Sequence, residues 1–208
     1  MKKFIRRFNK LGGSLWNSLC VRVLLELLWN HPWRVGWGVP GGGPFADQVR
    51  IEQAHWRFDD TSAHAMALLA MEQMGRMLYG LHAGFRAAEG ILSMNDAWQR
   101  DRVPVWMPSA MVTREPAIAA DWAVTSDSLA AWLASRLDTD GLLLVKSADL
   151  PRGLSDVSGL QRAGVLDDAF HLYSAPLVGR IRLLHRAHSG SFSAVLKGDS
   201  ASALRLAC

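Results

Sequence analysis

A chain of 208 residues, 50% of them hydrophobic and 20% charged, can fill the core of a folded domain and is not an intrinsically disordered sequence. Its net charge of +4 is scattered apart from Lys2, Lys3, Arg6 and Arg7, with no basic stripe interleaved by aromatics, which argues against nucleic acid as a partner. No run of about 18 uncharged apolar residues offers a membrane span, and Cys20 and Cys208 make neither a disulfide framework nor a zinc set.

Gly12 and Gly13 separate the basic start from the apolar stretch that follows. That order does not suit a signal peptide, and a cytoplasmic protein is expected. Residues 4–10 read as a first strand. Residues 15–29 read as a helix with an apolar stripe at Leu15, Leu19, Val23 and Leu27. Residues 34–39 form a short strand, residues 40–43 a loop and residues 45–56 the next helix. Asp59, Asp60, Thr61 and Ser62 are possible N-caps for a long helix over 63–82, rich in Ala, Met and Leu. Its Met66, Met71, Met74 and Met77 read as core packing. Strands follow at 103–107 and 141–145, with a helix over 127–137 between them, capped by Thr125 or Ser126. Residues 167–173 look helical, and 180–184 and 191–196 look like late strands.

Alternating strands and helices predict an α/β fold with a mainly parallel sheet covered on both faces. Ligands then bind beyond the carboxyl ends of the strands, where residues 11–14, 40–43 and 146–149 fall. Lys10, Gly12, Gly13 and Ser14 run from strand into helix, the arrangement in which backbone N–H groups and a lysine hold a phosphate. A plain tight turn is the competing reading. Gly41, Gly42 and Gly43 repeat the pattern at the next strand-to-helix junction, where a flexible connection is the alternative. Asp127 stands in a cluster of helix-capping residues. Lys146 ends an apolar run, so its stem is buried and its amine faces the ligand region, unless it is a solvated strand end. His64 lies near the start of the long helix, where it meets an anionic substrate or is a satisfied core histidine. No His/Cys/Asp set has metal-site spacing, so no protein-held metal is expected.

Together these segments resemble the amino-acid kinase superfamily. Lys10-Leu11-Gly12-Gly13-Ser14 resembles its opening K-x-G-G-S, Gly41-Gly42-Gly43 its second glycine loop, and Thr125-Ser126-Asp127-Ser128-Leu129-Ala130-Ala131 its N-x-D-x-x-A-A helix start. The segments 39–47, 63–71 and 145–149 are most similar to the branch that phosphorylates aminomethylfuran phosphate in methanofuran biosynthesis, which has relatives linked to the one-carbon carrier methylofuran. The resemblance implies a three-layer αβα sandwich, a single domain with an acceptor-binding half over 1–120 and a nucleotide-binding half over 121–208. It implies transfer of the γ-phosphoryl of ATP, with Mg²⁺, to a small-molecule acceptor that is itself a phosphate monoester. Lys10 would stabilise the moving phosphoryl group, and the glycines and Ser14 would bind phosphate oxygens. Asp127 would hold the catalytic lysine, His64 would contact the acceptor, and Lys146 and Asp149 would lie by the nucleotide. The protein would work as a homo-oligomer or as a subunit of a pathway complex. The alternative is a non-catalytic relative that binds a pathway enzyme or metabolite.

Overall fold

The computed structural model describes residues 7–11, 20–30, 36–150, 156–196 and 203–206. Its strands are β1 (Arg7–Leu11), β2 (Gly36–Pro40), β3 (Phe85–Ala88), β4 (Val103–Trp106), β5 (Gly141–Lys146), β6 (Ile181–His185) and β7 (Leu204–Arg205). They form one sheet in the order β3-β4-β2-β1-β5-β6-β7. Every pairing is parallel except β6 with β7. The first strand therefore lies inside the sheet, with β2 on one side and β5 on the other.

The helices are α1 (Cys20–Asn30), α2 (Gly43–Trp56), α3 (Asp60–Leu81), α4 (Ile91–Gln99), α5 (Ser109–Val112), α6 (Ser126–Arg136), α7 (Val157–Arg162), α8 (Phe170–Ser174) and α9 (Phe192–Leu196). Strand alternation sorts the core into two layers, because successive side chains leave opposite faces of a sheet. On β5, Leu142 and Leu144 pack with α6, α7 and α8, while Leu143 and Val145 pack with α1 and α9. On β6, Ile181 and Leu183 join the first layer and Leu184 the second. A sheet buried on both faces reads as a continuous apolar run, as in Leu142-Leu143-Leu144-Val145. Each fully buried leucine contributes about 1.5–3 kcal/mol. The expected three-layer αβα sandwich is the observed architecture.

Several local expectations change. The long helix begins at Asp60, with the Asp59 carboxylate accepting the Ser62 N–H at 2.8 Å, so His64 lies beyond its first turn. Residues 191–196 are not a strand. A 3₁₀ turn leads into α9, because Phe192 and Val195, three apart, are both buried under α1. Of the methionines on α3, Met71 and Met74 are buried, whereas Met66 is exposed. Strand β3 and helices α4 and α7 had no expectation in the sequence. Among the described residues, no helix is long and apolar enough to cross a membrane.

Candidate active site at the carboxyl ends of β1 and β5

Pairing of Leu11 with Pro40 on one side and with Val145 on the other brings the carboxyl ends of β1, β2 and β5 to one level. Strand order runs outward in both directions from β1, and a crevice opens at such a reversal point. Alternation decides what faces it. Lys146 follows Leu142 and Leu144 onto the α6 face, and Lys10 precedes Leu11, which points to the other face. Both lysines therefore meet the start of α6.

Asp127, in the first turn of α6, lies between them. Lys10 Nζ is 2.7 Å from its Oδ1, and Lys146 Nζ donates to its Oδ2. Lys10 and Asp127 are each 4% exposed, and Lys146 is 9% exposed. Burial alone would raise the Asp127 pKa, but the two ammonium groups outweigh it and hold the carboxyl at about 2. Burial pushes the Lys10 amine down, with Asp127 opposing the shift. Two cations thus share one carboxylate, with the charge of Asp167 acting on Lys10 as well.

The start of α6 is held by a residue the sequence reading did not single out. Asp167 accepts from the Thr125 N–H at 3.0 Å, the Thr125 hydroxyl at 2.7 Å and the Ser128 N–H at 3.0 Å, and also from the Ser128 hydroxyl. Thr125 occupies the N-cap position but makes no cap bond with its side chain. The capping carboxylate instead arrives from a distant part of the chain. Burial, and then the charge of Asp127, raise the Asp167 pKa against these hydrogen bonds.

Two cavities lie at this end of the sheet, and the second borders the cluster. The first, about 190 Å³, is enclosed by α2, α3, the 122–126 segment and α6, and Gly42, Gly43 and His64 line it. The second, about 270 Å³ and more polar, is bordered by Asp127, Lys146, Asp167 and Asp168. Arg50, Trp122 and Thr125 belong to both. Lys10 lies behind Asp127 and lines neither.

The glycines differ in what they do. The Gly41 N–H donates to the Leu11 carbonyl at 2.9 Å, so it is spent on the sheet. Gly42 caps α2, and a Cβ there would sit 2.4 Å from that of Ala46. Gly43 has φ of +55°, the left-handed region that favours glycine. Gly12, Gly13 and Ser14 lie outside the described residues. His64 is buried at the cavity wall; burial lowers its pKa, opposed by a hydrogen bond to the Asp121 backbone and by the Asp121 charge. Asp149 is apart from the cluster. It is fully exposed, 3.8 Å from Nε2 of His185, whose ring also contacts the Ser147 carbonyl at 3.1 Å. Among the described residues, no group of three or more His, Cys, Asp or Glu could hold a metal ion.

Comparison with known proteins places the chain beside kinases in sequence and in fold. The chain is 24% identical over 143 residues to the [5-(aminomethyl)furan-3-yl]methyl phosphate kinase of Methanocaldococcus jannaschii. That match covers 67% of this chain and 65% of the relative's length. No family model matches the chain. In structure it is similar to the UMP kinase of Bacillus anthracis (TM-score 0.68, 16% identity, 97% of this chain and 98% of that one). It is also similar to the UMP kinase of Ureaplasma parvum (0.68, 14%, 98% and 99%) and the uridylate kinase of Archaeoglobus fulgidus (0.66, 14%, 95% and 97%). The likeness to kinases thus rests on one relative in sequence and, in fold, on the UMP and uridylate kinases.

Proposed function

We propose that the protein is a small-molecule kinase. It moves the γ-phosphoryl group of ATP from the second cavity to an acceptor in the first, and the acceptor is a phosphate monoester such as an aminomethylfuran phosphate. The observation that carries this reading is the buried Lys10–Asp127–Lys146 cluster, which sets two ammonium groups on one carboxylate beside a polar cavity that adjoins a second one. Phosphoryl transfer asks little covalent chemistry of a protein; positioning and neutralisation of charge supply most of the rate.

An acceptor oxygen attacks the γ-phosphorus, the bond to the β-bridging oxygen breaks, and ADP leaves. Lys146, at the wall of the second cavity, meets the phosphate oxygens, and Lys10 adds charge from the strand beneath. Asp127 positions both amines. With its pKa at about 2 it is a poor general base. That suits a phosphate acceptor, whose oxygens are already ionised and need no base. Gly42, Gly43 and His64 hold the acceptor, Gly12, Gly13 and Ser14 bind phosphate oxygens as the sequence resemblance implies, and Asp149 lies at the nucleotide edge. Mg²⁺ would arrive with the nucleotide phosphates, near Asp127 and Asp167, and neutralise charge there.

The test is acceptor-dependent ADP release from Mg²⁺ and ATP, with [5-(aminomethyl)furan-3-yl]methyl phosphate, UMP and the corresponding alcohols as candidate acceptors. Release with a phosphate monoester is expected. Lys10→Ala should lower it roughly 100- to 1000-fold with the fold intact, the usual scale for losing one transition-state charge contact. Folded wild-type protein that releases no ADP with any of them would favour the non-catalytic relative.

A further inference from the structure

Arg50 lies on the face of α2 that also carries Gly43 and Asp47, residues spaced by four and three and so stacked on one side of a helix. Its guanidinium carbon lies 3.8 Å from the centre of the Trp122 ring. Trp122 is itself fixed, since its indole N–H donates to Gln53 Oε1 at 2.6 Å and Gln53 in turn donates to Asp60 Oδ1 at 2.8 Å. Stacking occupies the flat face of a guanidinium and leaves its in-plane N–H groups available. Among the described residues, no hydrogen bond or ion pair engages those groups; Asp47, one turn back, acts on Arg50 only through its charge. An arginine held by its face, with its donors unpaired, stands between the two cavities.

Charge decides which ligand it serves. The second cavity has Lys146 as a cation of its own, beside the carboxylates of Asp127, Asp167 and Asp168. The first has Asp47, His64 and Arg50 as its titratable lining, and burial favours the neutral form of His64. Arg50 is therefore the permanent cation of the first cavity among the described residues.

We infer that Arg50, held flat against Trp122, is the specificity residue that selects an anionic acceptor over its uncharged counterpart. This rests on the kinase reading for the name of the acceptor site, though not for the binding itself. The planar fork donates two parallel hydrogen bonds to phosphate oxygens, a geometry a lysine does not reproduce. His64 then contributes a neutral hydrogen bond rather than charge.

The test is calorimetric titration of wild type, Arg50→Gln and Arg50→Lys with [5-(aminomethyl)furan-3-yl]methyl phosphate, its alcohol, and ATP, beside melting curves. Wild type should bind the phosphate more tightly than the alcohol. In Arg50→Gln that preference should fall about 10- to 100-fold, the scale of a lost charge-assisted contact, with alcohol and ATP binding and melting temperature little changed. Arg50→Lys should recover only part of it. An unchanged preference in Arg50→Gln overturns the inference, as does equal weakening of phosphate and alcohol, or failure of wild type to bind the phosphate at millimolar concentration. The two readings also fail separately. Turnover on an uncharged acceptor alone would keep the kinase and remove this role. Arg50-dependent phosphate binding without any ADP release would keep the role and remove the kinase.

Discussion

The Lys10–Asp127–Lys146 cluster and the Arg50–Trp122 pair both bring cations to the same crevice, but they are built in opposite ways. The cluster is buried, comes from two adjacent strands and a helix start, and every charge in it leans on another. In the pair, Arg50 stands on an exposed helix face, stacked on Trp122 and, among the described residues, without an ion pair. Removing the carboxylate that both lysines share leaves two uncompensated ammonium groups in a dry place, so it threatens the fold and the chemistry together. Changing the pair leaves the rest of the molecule in place, so it can alter ligand choice without loss of stability. A machine that keeps one reaction while its substrate varies needs both kinds of site.

The sharpest way to break this contrast is Asp127→Ala, which strands Lys10 and Lys146 together. A loss of about 3–5 kcal/mol is expected from denaturant unfolding, together with loss of turnover. A melting curve like that of wild type would show that the lysines find water and that the cluster is no keystone.

Acid probes the same group without mutation. The Asp127 pKa in the folded state lies below its ordinary 3.8, so its contribution is fully present above that value and is lost as pH falls toward about 2. The contribution is roughly 2 kcal/mol by the usual conversion. Between pH 5 and 7 stability should not depend on this group, and proton uptake on unfolding should appear below about 4. No such uptake at Asp127, followed by its carboxyl carbon signal in NMR, would mean that the two ammonium groups do not hold it down.

Asp167→Ala should cost less, about 1–2 kcal/mol, because it removes a cap and not a buried charge pair. It should also lower turnover by loosening the start of α6, which carries Asp127. Full activity in a destabilised variant would separate helix capping from alignment of the cluster.

The smallest effect is expected at His64. His64→Ala should weaken acceptor binding roughly threefold to tenfold, the worth of a neutral hydrogen bond, and leave ATP affinity unchanged. Parallel loss of both ligands with a lower melting temperature would make it a core histidine bonded to the Asp121 backbone. Gly42, by contrast, does not sharpen the comparison. A side chain there meets Ala46 before it meets any ligand, so loss of binding in Gly42→Val would follow from a displaced helix start alone.

What was legible in the sequence was whatever lies close together in it. The buried run of β5, the cap of α3 and the glycines before α2 all rest on near neighbours. Lys10, Asp127 and Lys146 could be named singly, yet only the register of β1 with β5 and the alternation of their side chains bring the three together. Asp167 read as the first residue of a helix because its partners, Thr125 and Ser128, lie some forty residues earlier. Arg50 did carry a signal, its helical spacing from Gly43 and Asp47, but the tryptophan that gives it a role comes from another segment. Strand β3 has four residues on an edge, too few for an alternation to register. In residues 191–196, Phe192, Ala194 and Leu196 suggest a period of two, and tertiary burial of Phe192 with Val195 imposes the helical one.

The place of β1 inside the sheet has a consequence in time. Its residues lie near the beginning of the chain, and one of their two partner strands is made only when residues 141–145 have been synthesised. Until then β1 has β2 alone beside it, and before residue 127 is made Lys10 has no Asp127 to meet. A nascent chain halted before α6 and β5 thus carries half a sheet and no charge centre. The charge centre is completed late, by the docking of α6 and β5 against β1, and β6 and β7 extend the sheet only after that.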